Sequence, residues 1–337
     1  MIVKIKKTAD KANVEELLNH LKKHGFEIHS SFGEEYEVYG VIGDTSTFDT
    51  RSLFAYPCVD NVIRIQEPFK KVNRKIKKED TIVDVNGVLI GGNNLTIMAG
   101  PCSIESEEQL DTIAKTIKAS GAVILRGGAY KPRTSPYAFQ GLGEHGLILL
   151  NKIGKKHGMP VISEITNILD IDLFVKYVDI IQVGARNMQN FALLKALSLT
   201  NKPIMLKRGF SNTIEEWLMS AEYLMQNDNP NIILCERGIR TFEKYTRNTL
   251  DISTIPIVKK MSHLPVIIDP SHAAGKWDLV ESLSMGSVAS GADGLIVEVH
   301  HEPENALSDG AQSLKPAKFD DMMKKIVQLA NLLEKKL

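Results

Sequence analysis

From Leu95 onward the chain repeats one unit, a short apolar run followed by a helical stretch. The runs are LTIMAG, AVILRGG, MPVISEI, DIIQVGA, KPIMLKRG, NIILCERG, LPVIIDPSH and GLIVEVH. They lack the apolar–polar alternation of a half-exposed strand, as expected of parallel strands covered on both faces. Helical patterns such as IEEWLMSAEYLM separate them. Eight β-then-α units over residues 95–337 predict an α/β fold, a (β/α)8 TIM barrel. An open doubly wound sheet is the competitor. No G-x-G-x-x-G follows the first run, and eight even units favour closure.

The residues before Leu95 read differently. IVKI is a short strand. ANVEELLNHLKKHG places Val14, Leu17, Leu18 and Leu21 at helical spacing, with Gly25 as a stop. FEIHSSF and EYEVYGVIG form a hairpin pattern, a short helix is expected near Ser46–Ala55, and NVIRIQ reads as a last strand. The order β-α-β-β-α-β predicts a ferredoxin-like domain over residues 1–66. The basic segment EPFKKVNRKIKKED, residues 67–80, reads as a solvated linker. Residues 81–94 carry TIVDVNGVLIGG, whose Asn86-Gly87 pair is a strong hairpin turn because both positions tolerate positive φ. That hairpin is expected to cap the barrel of residues 95–337.

Composition excludes several classes. Lys+Arg and Asp+Glu each number 41, so the formal charge is zero, which argues against a nucleic-acid binder. No apolar run approaches the ~20 residues of a membrane helix. MIVKIKKTADK is charged too early for a signal peptide. The three cysteines, Cys58, Cys102 and Cys235, fit a reducing compartment, so a cytoplasmic protein is expected.

Barrel chemistry is built where the strands end at their carboxyl side. The first run ends at Cys102 and the second at Arg126, with Lys131 and Arg133 close behind. The third ends at Glu164. The fourth leads to Arg186, the fifth to Lys207 and Arg208. The sixth ends in Glu236-Arg237, the seventh in Asp269 and His272, the eighth in Glu298 and His300. So many cations at one rim repel each other unless anions fill the gaps. Some should pair with Glu164 and Glu236; the remainder point to a substrate, or two, carrying phosphate.

Closure also puts the eighth strand beside the first and the seventh. Cys102, His272, Glu298 and Asp309 then converge as a divalent metal site of mixed softness. Each residue has a plainer reading: cysteine as core filler, histidine as a structural residue, Asp309-Gly310 as a turn. A nucleophilic Cys102 is disfavoured because the flanking carboxylates raise its pKa. Cys235 and Cys58 read as core.

The blocks AGPCSIES, LRGGAYKPRTSPYAFQGLG, VGARNMQNF, MLKRGF, LCERGIRTF, DPSHAAG and EVHHEPENALSDGAQSL together resemble 3-deoxy-D-arabino-heptulosonate 7-phosphate (DAHP) synthase, the short microbial type with an N-terminal ferredoxin-like domain. The resemblance covers essentially the whole chain. It implies condensation of phosphoenolpyruvate with D-erythrose 4-phosphate and water, giving DAHP and phosphate, the first step toward chorismate and the aromatic amino acids. It implies one divalent metal ion (Mn2+, Fe2+, Zn2+ or Co2+) on Cys102, His272, Glu298 and Asp309. The phosphoenolpyruvate positions match Arg126, Lys131, Ala185, Arg186, Lys207 and Arg237. The erythrose 4-phosphate positions match Lys131, Pro132, Arg133 and Thr134. Lys131 is expected to assist proton transfer to the new alkoxide, and Glu164 and Lys207 to orient or deprotonate the water. Similar proteins lead us to expect feedback by tyrosine or phenylalanine through residues 1–66, and a homo-oligomer, a tetramer. The alternatives are a 3-deoxy-octulosonate 8-phosphate synthase or sialic-acid synthase using the same condensation, and a non-catalytic sensor barrel.

Overall fold

A computed structural model of the chain describes residues 1–32, 36–45, 47–64, 67–132 and 135–337. The chain divides into two compact units, Met1–Lys70 and Lys71–Leu337.

The first unit follows the expected order. Strand β1 is Ile2–Lys6, helix α1 is Lys11–Lys23, β2 is Glu27–Phe32, β3 is Tyr36–Ile42 and β4 is Val59–Ile63. Asp10 starts α1 by accepting the Ala12 N–H at 3.1 Å, and Gly25 follows the helix at φ +81. Leu17 and Leu21 on one face of α1 are fully buried with Val3, Ile5 and Val41 of the sheet. The sheet order is β2-β3-β1-β4, with antiparallel pairs throughout. Two elements differ from expectation. The second helix is a 3-10 turn, Thr50–Ala55, set by Asp49, whose carboxylate accepts the Arg51 N–H. The last strand begins two residues earlier, at Val59. The turn at 33–35, Ser46 and the strand end at 65–66 lie outside the described residues.

The second unit is a closed barrel of eight parallel strands. In chain order the barrel proper runs β7 (Thr96–Gly100), α2 (Glu107–Ala119), β8 (Ile124–Arg126), α3 (Glu144–His157), β9 (Val161–Ile165), α4 (Ile171–Tyr177), β10 (Ile180–Val183), α5 (Phe191–Ser198), β11 (Ile204–Lys207), α6 (Ile214–Leu224), β12 (Ile232–Glu236), α7 (Thr254–Met261), β13 (Val266–Ile268), α8 (Pro270–Ala274), α9 (Trp277–Ala289), β14 (Gly294–Glu298) and α10 (Pro316–Leu332). The strand residues are buried almost without break, which is why their sequences do not alternate. Among the described residues no helix is long and apolar enough to cross a membrane.

The hairpin ahead of the barrel consists of β5 (Val83–Val85) and β6 (Val88–Ile90). Asn86 and Gly87 both take positive φ, and Asp84 fastens the turn by accepting the Gly87 N–H at 2.7 Å. Val83, Val85 and Ile90 pack into the lumen against Met98, Ile124, Ile162, Ile180 and Ile233. These lie early in or midway along their strands, so the hairpin stoppers the amino-terminal end of the barrel.

Residues 71–80, read above as a solvated linker, are instead bound into the barrel unit. Glu222 of α6 accepts the N–H groups of Lys71 and Val72 at 2.9 and 3.1 Å. Lys71 Nζ donates to the carbonyls of Met225 and Gln226 beyond the end of α6. Arg74 donates through its backbone to Met261 O and through Nε to Lys259 O at the end of α7. The positive charge of the segment thus meets the partial negative charge at two helix C-termini, a match that composition alone does not reveal.

Candidate active site

The site starts where β7 ends. Gly100 has φ +149, and a Cβ there would stand 2.0 Å from Arg126 O, so only glycine lets β7 and β8 close together at this point. Two residues on, Cys102 is 3% exposed and its Sγ lies 3.5 Å from Asp309 Oδ2. The donor atoms of Cys102, Glu298 and Asp309 all lie within 4.8 Å of one another. Asp309 reaches this place from a left-handed backbone (φ +50), which aspartate tolerates better than most residues. His272 stands at the edge of the group, its Nε2 3.4 Å from Glu298 Oε1.

Each of these groups is held from behind. Asp269, at the end of β13, caps α8 by accepting the His272 N–H through Oδ1 at 2.9 Å. Its Oδ2 accepts from His272 Nδ1 at 2.7 Å and from Lys207 Nζ at 2.5 Å. This fixes the imidazole with its Nε2 lone pair toward Glu298, the arrangement used by metal-ligating histidines. Glu298 accepts from Arg126 Nη1 at 2.8 Å and from Gln312 Nε2 at 2.6 Å, and its own N–H donates to Ser271 Oγ. Lys131 Nζ lies 3.0 Å from Cys102 Sγ and also contacts the Cys102 carbonyl. A Cβ on Gly128 would meet that Nζ at 2.5 Å, so the glycine makes room for the lysine.

The electrostatics fit a cation. Burial, then the Glu298 carboxylate, push the Cys102 thiol up to about 11. Burial alone would raise Glu298 and Asp269. For Glu298 the neighbouring His272 and Arg126 outweigh it, and for Asp269 the His272 ring and Lys207 do. Burial keeps His272 below its ordinary value against the pull of Asp269 and Glu298. An imidazole engaged through Nδ1 by Asp269, the Glu298 and Asp309 carboxylates, and a thiol needing a positive charge to ionise form a donor set suited to a borderline divalent ion.

The opposite wall is different. Arg237, one residue past β12, is 3% exposed, and among the described residues its guanidinium donates only to the carbonyls of Gly238 and His272, at 3.4 and 3.1 Å. Burial lowers its pKa. Arg186, on the 3-10 turn Ala185–Asn187 after β10, lies over the Phe210 ring. Among the described residues neither guanidinium has a carboxylate within ion-pair distance. Glu164 accepts from Gln182 Nε2 at 3.2 Å, and a Cβ on Gly184 would collide with its carboxylate at 1.9 Å. Lys131, Pro132, Glu164, Ala185, Arg186, Lys207, Arg237, His272 and Asp309 line one cleft together with Phe210 and Arg247.

Several predicted positions do not themselves line that cleft. Arg126 is buried beneath the cleft, using its guanidinium on Glu298 and Pro101 O. Arg208 turns away from Lys207 to bond Glu236 and Asp251 at 3.0 and 2.8 Å, so Glu236 is the carboxylate that takes a rim cation. His300 faces Glu105 and Gln109 at the foot of α2. Burial above all raises the Cys235 thiol, which sits in the lumen core. Arg133 and Thr134 lie outside the described residues. Arg247 and Gln312 were not predicted. Arg247 Nη1 donates to Gln312 Oε1 at 3.0 Å and lies 3.5 Å from Asp309 Oδ2. Arg247 sits eleven residues past β12, beyond any strand-end rule. The SDGAQSL block was the available signal for Gln312.

Comparisons with known proteins identify the family. Residues 71–335 match the sequence model of the DAHP synthetase I family, and residues 1–67 match the DAHP synthase ferredoxin-like domain. The phospho-2-dehydro-3-deoxyheptonate aldolase of Thermotoga maritima is 49% identical over 333 residues, 99% of this chain and 98% of that protein. The 2-dehydro-3-deoxyphosphooctonate aldolase of Citrifermentans bemidjiense is 34% identical over 267 residues, 72% of this chain and 95% of that one. The crystal structure of the Thermotoga maritima DAHP synthase superposes with a TM-score of 0.95, covering 99% of this chain and 98% of that chain at 49% identity. A truncated form of the Thermotoga enzyme gives a TM-score of 0.75, covering 80% of this chain and 98% of that chain at 51% identity. With its barrel and its amino-terminal unit each matched, the chain belongs to the DAHP synthetase I family.

Proposed function

We propose that the chain condenses phosphoenolpyruvate with D-erythrose 4-phosphate and water to give DAHP and phosphate. The observation that carries this reading is the divided cleft: buried arginine without a carboxylate partner on one wall, a sulfur–carboxylate–imidazole cluster on the other. Phosphoenolpyruvate carries a carboxylate and a phosphate, and Arg186, Lys207 and Arg237 are the groups we assign to them. Lys131 and Pro132, with Arg133 and Thr134, are assigned to erythrose 4-phosphate. A divalent ion on Cys102, His272, Glu298 and Asp309 would supply Lewis-acid polarisation of the aldehyde.

In this reading C3 of phosphoenolpyruvate bonds to the aldehyde carbon, and positive charge develops at C2. Lys131, beside the cluster and facing the cleft, delivers a proton to the oxygen that was the aldehyde. Water adds at C2, with Glu164 taking its proton and Lys207 orienting it. The C2–O bond then breaks, phosphate leaves with the electron pair, and the C2 hydroxyl becomes the ketone as its proton passes to the departing phosphate. The buried Asp269–Lys207 pair keeps the ammonium in place without blocking the cleft.

The test is phosphate release with both substrates, before and after chelation. Release that requires erythrose 4-phosphate and stops on chelation supports the proposal. Faster turnover with arabinose 5-phosphate would shift it to the octulosonate reaction, and no release with either would overturn it. We extend the proposal to feedback by tyrosine or phenylalanine through residues 1–66, and to a cytoplasmic homotetramer. If removal of residues 1–66 leaves inhibition by both amino acids unchanged, the regulatory part fails.

A further inference from the structure

One ring in the cleft gathers three guanidiniums. The ring of Phe210 has the guanidinium carbons of Arg186, Arg237 and Arg240 at 5.7, 4.8 and 4.9 Å from its centroid. The four residues come from three successive strand ends: Arg186 after β10, Phe210 three residues past β11, and Arg237 and Arg240 after β12. The backbone holds the ring where it is. The Arg240 N–H donates to Phe210 O at 2.7 Å, and the preceding Gly209 N–H points at Met188 Sδ at 3.1 Å. Phe210, Arg186 and Arg237 all face the cleft.

Like charges at this spacing repel, and proteins usually relieve that with a carboxylate. Here a carboxylate would neutralise the arginines and compete with an arriving anion. The face of an aromatic ring attracts guanidinium through its quadrupole but carries no net charge. It holds the cations together and leaves their full charge available. We propose that Phe210 is a positioning residue for the anion subsite. It keeps Arg186 and Arg237 aimed into the cleft, while Arg240, exposed at the rim, extends the same positive surface outward. The inference rests on the phosphoenolpyruvate reading above.

The experiment measures phosphoenolpyruvate binding by calorimetry without the second substrate, together with KM and kcat, in wild type, F210L and F210Y. Leucine keeps bulk and removes the ring; tyrosine keeps the ring. Loss of the three ring–guanidinium contacts, two of them to the cleft arginines Arg186 and Arg237, should weaken binding and raise KM by about tenfold in F210L, with kcat held within about threefold. F210Y should restore wild-type binding. Should F210L fail to fold, F210M carries the same comparison. Unchanged affinity in the folded aliphatic variant, a fall in kcat at constant KM, or no rescue by tyrosine overturns the role of the ring while leaving the substrate assignment standing. Wild type that does not bind phosphoenolpyruvate overturns the substrate assignment itself, and the inference with it.

Discussion

The two walls of the cleft use charge in opposite ways. On the wall where Cys102, Asp269 and Glu298 follow or end β7, β13 and β14, the buried acidic groups are matched by cations from β8, the loop after it and β11: Glu298 by Arg126, Asp269 by Lys207, and Cys102 by the neighbouring Lys131. On the wall built from the loops after β10 and β12, Arg237 and Arg186 meet carbonyls and a ring instead. Matched charges in a dry interior fix geometry, and removing one partner leaves the other stranded at several kcal/mol. Unmatched cations at a cleft are a binding site waiting for its anion. In the reading proposed above, one wall serves the chemistry and the other, with Lys207 at the boundary, the capture of the anion.

That contrast can be broken by removing one group at a time. The largest effect is expected on the matched wall. Cys102→Ser should lower both the bound metal, read by atomic emission, and turnover by at least about 100-fold. A serine variant with full metal content and full turnover would remove the cluster from the mechanism. Next comes Arg237→Ala, which should raise KM for phosphoenolpyruvate by about 100-fold while metal content stays at the wild-type level. If metal is lost as well, the two walls are not separate. Gln312→Ala should weaken metal binding by about tenfold, because it frees Glu298 and Arg247 together. An unchanged metal titration would reduce Gln312 to packing. Glu222→Ala serves as the control away from the cleft. Leaving the Lys71 and Val72 N–H groups to water should lower unfolding stability by about 1 kcal/mol and leave turnover untouched.

The strand ends were legible because burial on both faces writes itself as unbroken apolar runs, each of which stops where polar residues begin at the carboxyl end of a strand. The pairings at that mouth were not legible. Lys207 and Arg208 are adjacent and both cationic, yet successive side chains point to opposite sides. Lys207 reaches Asp269, 62 residues away, and Arg208 reaches Glu236 and Asp251 behind the cleft. Which cation stays unpaired is decided by such distant partners. Arg247 and Phe210 escaped for a related reason. They stand on loops, and a loop's direction follows from bonds such as Arg247 N–H to Ala274 O rather than from any period in the sequence. In the amino-terminal unit the helix at Lys11–Lys23 followed from its spacing. A short helix was expected near Ser46–Ala55, but its 3-10 form and its start at Thr50 were not, since six residues with one local cap carry no helical period.

Among the described residues, the hairpin at 83–90 fills the base of the barrel like the bottom of a vessel. Met98, Ile124 and their neighbours pack against Val83, Val85 and Ile90 there, away from the cleft at the carboxyl ends of the strands. A reaction joining two molecules in such a vessel obeys the rule of a narrow queue. The reactant that lodges deeper has to arrive before the one that covers it, and whatever forms at the bottom waits for whatever forms above it to leave.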